Sequence, residues 1–142
     1  MKVLFDTNVV LDLLLDRTPF ADEAAALFSK IEQGEFSGYL CATTLTTVHY
    51  LLSKSLSNLG ANTHIQTLAS MFEIAAVNRL VIEHALVAGF SDFEDAVLYQ
   101  AAYHAGAEYI VTRNISDFRK SDIPVYAPGE FISLLHTLEQ GD

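Results

Sequence analysis

Short apolar runs alternate along this chain with longer stretches in which apolar residues recur every three or four positions, the two periods expected of buried strands and of helices with one buried face. Lys2-Val3-Leu4-Phe5-Asp6 is β-prone, stops at the polar cluster Asp6-Thr7-Asn8, and predicts a buried strand ending at Asp6. Val9 to Leu15 reads as a short helix. Ala21 to Gln33, apolar at 24, 25, 27, 28 and 31, reads as a second, closed by Gly34 and separated from the first by Pro19. Gly38 to Ala42 is the next strand, followed by a helix to about Ser57 with Thr43 or Thr44 as its cap and Leu45, Val48, Leu51 and Leu52 on one stripe. Ser55 to Gly60 is expected to be a turn, Asn62 to Met71 a helix, Glu73 to Val77 a third strand and Asn78 to Ala88 a helix stopped by Gly89. Ser91 and Glu94 have capping-box spacing ahead of a helix through Ala105 and Gly106. Glu108 to Thr112 is the fourth strand, Ile123 to Tyr126 a short edge strand that tolerates Pro124, and Pro128 opens a last helix to about Leu138.

Strands that alternate with helices are joined by right-handed crossovers. The prediction is an α/β fold, a central and mostly parallel sheet of four to five strands with helices on both faces, in one domain spanning residues 1–142. In such sheets ligands bind beyond the carboxyl ends of the strands, where the strand order reverses. Asp6 ends the first strand, and Asp117 lies five residues past the fourth, so both belong on that rim. The helix preceding the fourth strand starts on the same rim and carries Asp92 and Asp95 three apart on one face. Four converging carboxylates form an oxygen-rich site of the kind preferred by Mg²⁺ or Mn²⁺, and their mutual repulsion calls for a cation. One or two such ions activate water and stabilise the leaving oxygen of an in-line displacement, which points to phosphodiester hydrolysis.

Composition narrows the partners. Eighteen acidic against eight basic residues give a net charge of −10, which excludes nucleic-acid binding through a broad basic surface. Three of the eight basic residues, Arg113, Arg119 and Lys120, nevertheless fall in the loop that bears Asp117, a local patch suited to a nucleic-acid backbone. Thr7, Asn8, Thr112 and Asn114 are candidates to hold substrate or water. Glu94 is expected to turn back to Ser91 as a capping partner. The five histidines show no metal-ligand spacing and read as structural or surface residues, Tyr50, Tyr99 and Tyr103 as core, and the single Cys41 as a small buried apolar side chain. Asp6, Asp12 and Asp16 interrupt any apolar leader, and no apolar run reaches the ~18 residues of a membrane span. A cytoplasmic protein that makes no membrane contact is expected.

Val3-Leu4-Phe5-Asp6-Thr7-Asn8, then Asp92-Phe93-Glu94-Asp95-Ala96 opening a helix, then Tyr109-Ile110-Val111-Thr112-Arg113-Asn114 with Asp117-Phe118 together resemble the PIN domain in order and spacing across nearly the whole chain. The resemblance implies an α/β/α sandwich and a Mg²⁺- or Mn²⁺-dependent ribonuclease. For small stand-alone members it implies a VapC-like toxin paired with a small antitoxin and often dimeric. It matches Asp6, Asp95 and Asp117 to family acids, and Thr7, Asn8, Thr112 and Asn114 to supporting polar positions. A family Glu on the helix after the second strand is missing. Thr47 stands about where it belongs, and Asp92 is the replacement that the DFEDA segment offers.

A receiver domain is disfavoured because the third strand ends at Val77-Asn78 and Tyr126-Ala127-Pro128 stands where its lysine belongs. A dehalogenase-like phosphatase needs two aspartates where Asp6-Thr7-Asn8 stands. The remaining alternative is a degenerate PIN module that binds RNA or a protein without cleaving.

Overall fold

Val3, Leu4 and Phe5 are all fully buried, and because successive strand residues face opposite sides, both faces of this strand require apolar cover. The computed structural model, which describes residues 1–141, provides it. Strands β1 (Lys2–Phe5), β2 (Ser37–Cys41), β3 (Glu73–Ala75), β4 (Tyr109–Val111) and β5 (Val125–Tyr126) form one sheet in the order β3-β2-β1-β4-β5, parallel throughout. Between and after them run α1 (Thr7–Leu14), α2 (Ala21–Glu32), α3 (Ala42–Ser55), α4 (Asn58–Met71), α5 (Arg79–Val87), α6 (Phe93–Ala105) and α7 (Pro128–Gln140).

On one face, Val3, Phe5 and Val111 meet side chains of α1, α2, α3, α4 and α7, with Phe5 held edge-on by Phe28 and Phe72 at centroid distances of 5.7 and 5.8 Å. On the other, Leu4, Cys41 and Ile110 meet α5 and α6. This is the expected α/β/α sandwich. No helix among the described residues is long and apolar enough to cross a membrane.

Gly38 in β2 shows how tightly the first layer closes. A Cβ there would stand 2.6 Å from Ile31 Cδ1 and 2.7 Å from Phe72 Cδ1. Gly38→Ala is therefore expected to cost about 1–3 kcal/mol through overpacking, read as a lower denaturant midpoint with an unchanged slope.

Several local expectations shift. Ser57 caps α4, its hydroxyl accepting from Gly60 N at 3.1 Å, so that helix starts at Asn58 and the expected Ser55–Gly60 turn shrinks to two residues. Neither Thr43 nor Thr44 caps α3: Cys41 holds the cap position, and the buried Thr44 hydroxyl makes a tertiary contact instead. Only Tyr99 of the three tyrosines is core. Tyr50 and Tyr103 are 60% and 56% exposed, because α3 buries the stripe of Thr44, Val48 and Leu52 on its other face, and α6 buries Ala96 to Tyr99 with Ala101 and Ala102.

Candidate active site

β1 connects outward to β2 and β3, whereas β4 adds on its opposite edge, so the strand order reverses between β1 and β4. The two chains leaving that crevice carry Asp6 and the segment Thr112 to Asp117. Asp6 does more than end a strand: it caps α1, Oδ1 accepting from Thr7 N at 2.7 Å. Its Oδ2 accepts from the fully buried Thr112 hydroxyl at 2.8 Å and from Asn8 Nδ2 at 3.4 Å. Thr112 Oγ1 also accepts from Asn114 N at 3.0 Å, and Asn8 Oδ1 from Arg113 N at 3.4 Å. Asp6, Asn8, Thr112, Arg113 and Asn114 thus form one hydrogen-bonded web across the β1–β4 junction. Thr7 links this junction to α3, its hydroxyl 2.9 Å from that of Thr44.

α6 brings the remaining acids. The expected Ser91–Glu94 capping box does not form. Asp92 is the cap, accepting from Asp95 N at 2.9 Å, because Asp serves as well as Ser and the helix begins one residue later than the Ser91 reading requires. Glu94 is consequently not drawn back to Ser91, and its charge is felt at the site. Burial raises the Asp6 carboxyl above its ordinary range despite the Thr112 and Thr7 hydrogen bonds, with the charges of Glu94 and Asp117 adding to the rise. Asp95, half-buried, is pushed up to about 7, first by burial and then by Asp6, Asp92, Asp117 and Glu94. Asp117 sits exposed in a 3-10 turn, Ile115–Phe118, anchored by the buried Phe118. The charges of Asp92, Asp117 and Glu94 all raise Asp95, and those of Asp117 and Glu94 also raise Asp6, so Glu94, which spacing had assigned to a cap, acts on the same two carboxyls.

No acid on α3 joins them. Thr47 is half-buried one turn beyond Thr44. The cations separate into two kinds. Arg113 is engaged by Asp12 of α1, which is 1% exposed: Nε donates to Oδ2 at 2.6 Å and Nη2 to Oδ1 at 3.1 Å, while the guanidinium lies 4.0 Å from the Phe20 ring centroid. Arg17 is 3.6 Å from the same carboxylate. This lock ties the loop after β4 to α1, and sequence reading missed it because Asp12 falls on an otherwise apolar helix with no motif around it. Arg119 and Lys120 are exposed and have no carboxylate within ion-pair distance among the described residues. His84 and His104 pair at 3.0 Å, ring nitrogen to ring nitrogen, between α5 and the far end of α6, away from this rim.

The donor set is carboxylate oxygen throughout, the chemistry that suits Mg²⁺ or Mn²⁺, and Asp6 and Asp95 are made weaker acids first by burial and then by neighbouring negative charge, which a cation would offset. As the side chains stand, no three His, Cys, Asp or Glu residues among those described are grouped to hold one ion. Asp92 is committed to its cap and Asp117 to a surface turn. A small, strongly hydrated cation that keeps several waters suits such a spread set better than one that needs an all-protein cage.

A ribonuclease VapC1 from Aquifex aeolicus is 28% identical over 142 aligned positions, which cover 96% of this chain and 97% of that protein. The VapBC-1 structure from nontypeable Haemophilus influenzae superposes with a TM-score of 0.70 at 13% identity, over 91% of this chain and 99% of that one. A toxin-antitoxin complex from Klebsiella pneumoniae gives 0.66 at 25% identity, over 89% and 97%. The family model for the PIN domain matches residues 2–116, from the first strand into the 3-10 turn after β4, and this chain belongs to the PIN-domain family.

Proposed function

We propose that the protein is a Mg²⁺- or Mn²⁺-dependent endoribonuclease, the toxin of a toxin-antitoxin pair. What supports the reading is the place of Asp6 at the crevice between β1 and β4, bonded to Thr112 and Asn8, with Asp95 pushed up to about 7 by burial and by the charges of Asp6, Asp92, Asp117 and Glu94. Asp6 and Asp95 would hold one or two ions with help from Asp92 and Asp117. A bound ion supplies a nucleophilic water at neutral pH and neutralises charge on the phosphoryl oxygens. The chain's own residues do the positioning. Thr112 and Asn8 orient the Asp6 carboxylate, Thr7 and Asn114 brace the two strand ends, and Arg119 and Lys120 hold the RNA backbone. Arg113 contributes by fixing the loop on Asp12, its guanidinium being engaged there. VapBC structures similar to this chain, two of them solved on DNA, support an antitoxin partner, and the resemblance to the PIN family adds the expectation of a homodimer.

Cleavage of a mixed RNA pool by the purified protein with Mn²⁺, Mg²⁺ or EDTA tests the activity. Wild-type cleavage abolished by EDTA, by Asp6→Asn and by Asp95→Asn is the expected result. The absence of an acid at Thr47 favours the second reading, a module that binds RNA or a protein without cleaving. A folded protein that cleaves nothing and gains no thermal stability from Mn²⁺ would establish it.

The raised Asp95 carboxyl also sets a stability profile. Its unfolded-state value is 3.8 and its folded-state value about 7, so across that window the native state holds the extra proton and metal-free stability falls as pH rises. The metal-free protein should melt lower at about pH 8 than at about pH 5.5, with Mn²⁺ raising the midpoint strongly at the higher pH and little at the lower. Asp95→Asn should flatten both trends. An equal Mn²⁺ effect at the two pH values would remove Asp95 from the cation site.

A further inference from the structure

Bordered by Asp117 lies a pocket of about 300 Å³ lined by Gly89–Ser91, Ser116–Asp117 and Arg119–Lys120. Three features of it exceed what a solvated loop requires. Arg119 and Lys120, adjacent and exposed, are left without carboxylate partners among the described residues in a chain of net charge −10, whereas Arg113 in the same loop is fully engaged. Lys120 is laid across the backbone of Gly89, which has φ +76°, and a Cβ there would come within 3.0 Å of Nζ. The ammonium is therefore brought into the pocket over a position that only glycine fills without strain. Phe90 is a partly exposed aromatic in this polar wall, its ring stacked on Tyr99 at a centroid distance of 5.2 Å and an interplanar angle of 22°, and lying nearly perpendicular to Phe118 at 6.0 Å. Tyr99 is itself fastened to the loop, its hydroxyl accepting from Asp122 N at 3.1 Å.

A partly exposed ring packed on Tyr99 and Phe118, beside two cations without carboxylate partners among the described residues and the hydroxyls of Ser91 and Ser116, combines the two elements of single-strand recognition: charge for the phosphate and a platform for the base. We propose that this pocket is a ribonucleotide subsite, which takes a backbone phosphate on Arg119 and Lys120 and the attached base against Phe90. It rests on the reading of the substrate as RNA and deepens it: Asp117 is common to the pocket and to the acidic cluster, so a nucleotide seated here adjoins the phosphate at the cluster and sets the preferred base at one side of the cut. The serines, each able to donate and accept, provide the hydrogen-bonding edge by which one base is preferred to another.

The test is binding without cleavage. Isotope-labelled full-length protein is titrated by NMR with each of the four ribonucleoside 5′-monophosphates and with inorganic phosphate, with and without Mg²⁺. Saturable shifts are expected at the Gly89, Ser91, Ser116 and Lys120 amides, tighter for one or two nucleotides than for phosphate. The double variant Arg119→Gln/Lys120→Gln, both exposed positions, should bind about tenfold or more weakly, while Phe90→Leu should remove the difference between bases and leave the response to phosphate. Asp6→Asn should bind nucleotide like wild type. Nucleotide and phosphate binding alike, shifts elsewhere, or undiminished binding by the double variant would each overturn the subsite. If wild type binds nucleotides here but cleaves no RNA, the subsite stands and the nuclease reading falls; cleavage without nucleotide binding gives the reverse.

Discussion

Asp6→Asn is expected to abolish cation-dependent RNA cleavage while leaving the protein as stable as wild type, or more so. The two halves of that expectation have separate causes. Asn keeps an oxygen for the Thr7 N–H and ranks with Asp as a helix cap, so α1 retains its start. It removes a charge that burial, Glu94 and Asp117 all disfavour, so the metal-free fold loses a source of repulsion. The same charge is the innermost carboxylate of the cluster, only 8% exposed and oriented by Thr112. Removing one charged group aimed at a reacting centre costs about 10²–10³ in rate, and loss of an ion-holding carboxylate belongs at or beyond the upper end of that range. Melting curves and cleavage assays on the same preparation check both halves. Full activity in a folded variant would place the chemistry elsewhere, and a lost fold would mean that the Asp6 charge is structural.

Asp12→Asn is expected to lower stability by about 3 kcal/mol and to lower activity as well, although Asp12 touches no residue of the acidic cluster. Removing one partner of a buried ion pair typically costs about 3–5 kcal/mol because the other charge is left uncompensated, and the lower figure applies because that charge, Arg113, is 27% exposed and stays partly solvated. For a chain of this length that is a fall in melting temperature of roughly 6–12 °C. The activity loss follows from geometry: Arg113 begins the loop that carries Asn114 and Asp117, and without the two bonds to Asp12 that loop is held mainly by Phe118 and the Asn8 contact. Coupling between Asp12→Asn and Arg113→Gln in a double-mutant cycle separates the lock from a general packing defect. Purely additive effects, or an Asp12→Asn variant of unchanged stability, would show that the pair contributes nothing.

Nearly all of the architecture was legible in the order of residues, because strand and helix periods are local properties. Alternating short apolar runs and 3.6-period stretches specified the parallel α/β arrangement, and Gly34, Gly89 and Gly106 mark helix ends with φ of +77°, +76° and +80°. Asp6, Asp92, Asp95 and Asp117 were legible for a related reason: in a parallel sheet, distance from a strand end determines which rim a residue occupies. What only the tertiary structure decided is how neighbouring candidates divide their roles. Ser91-Asp92-Phe93-Glu94-Asp95 contains two overlapping capping patterns, and packing of α6 on the sheet selected Asp92, which freed Glu94 to act on the cluster. Arg113, Arg119 and Lys120 are equivalent as charges in a loop; the buried Asp12, more than a hundred positions away from them, engaged the first and left the other two beside Phe90. Tyr50 and Tyr103 share helical spacing with core residues, and helix rotation alone placed them outside. Fold and candidate acids follow from spacing within one segment, whereas partnership, exposure and the pocket depend on which distant segments meet, and that is set by the packing of the whole chain.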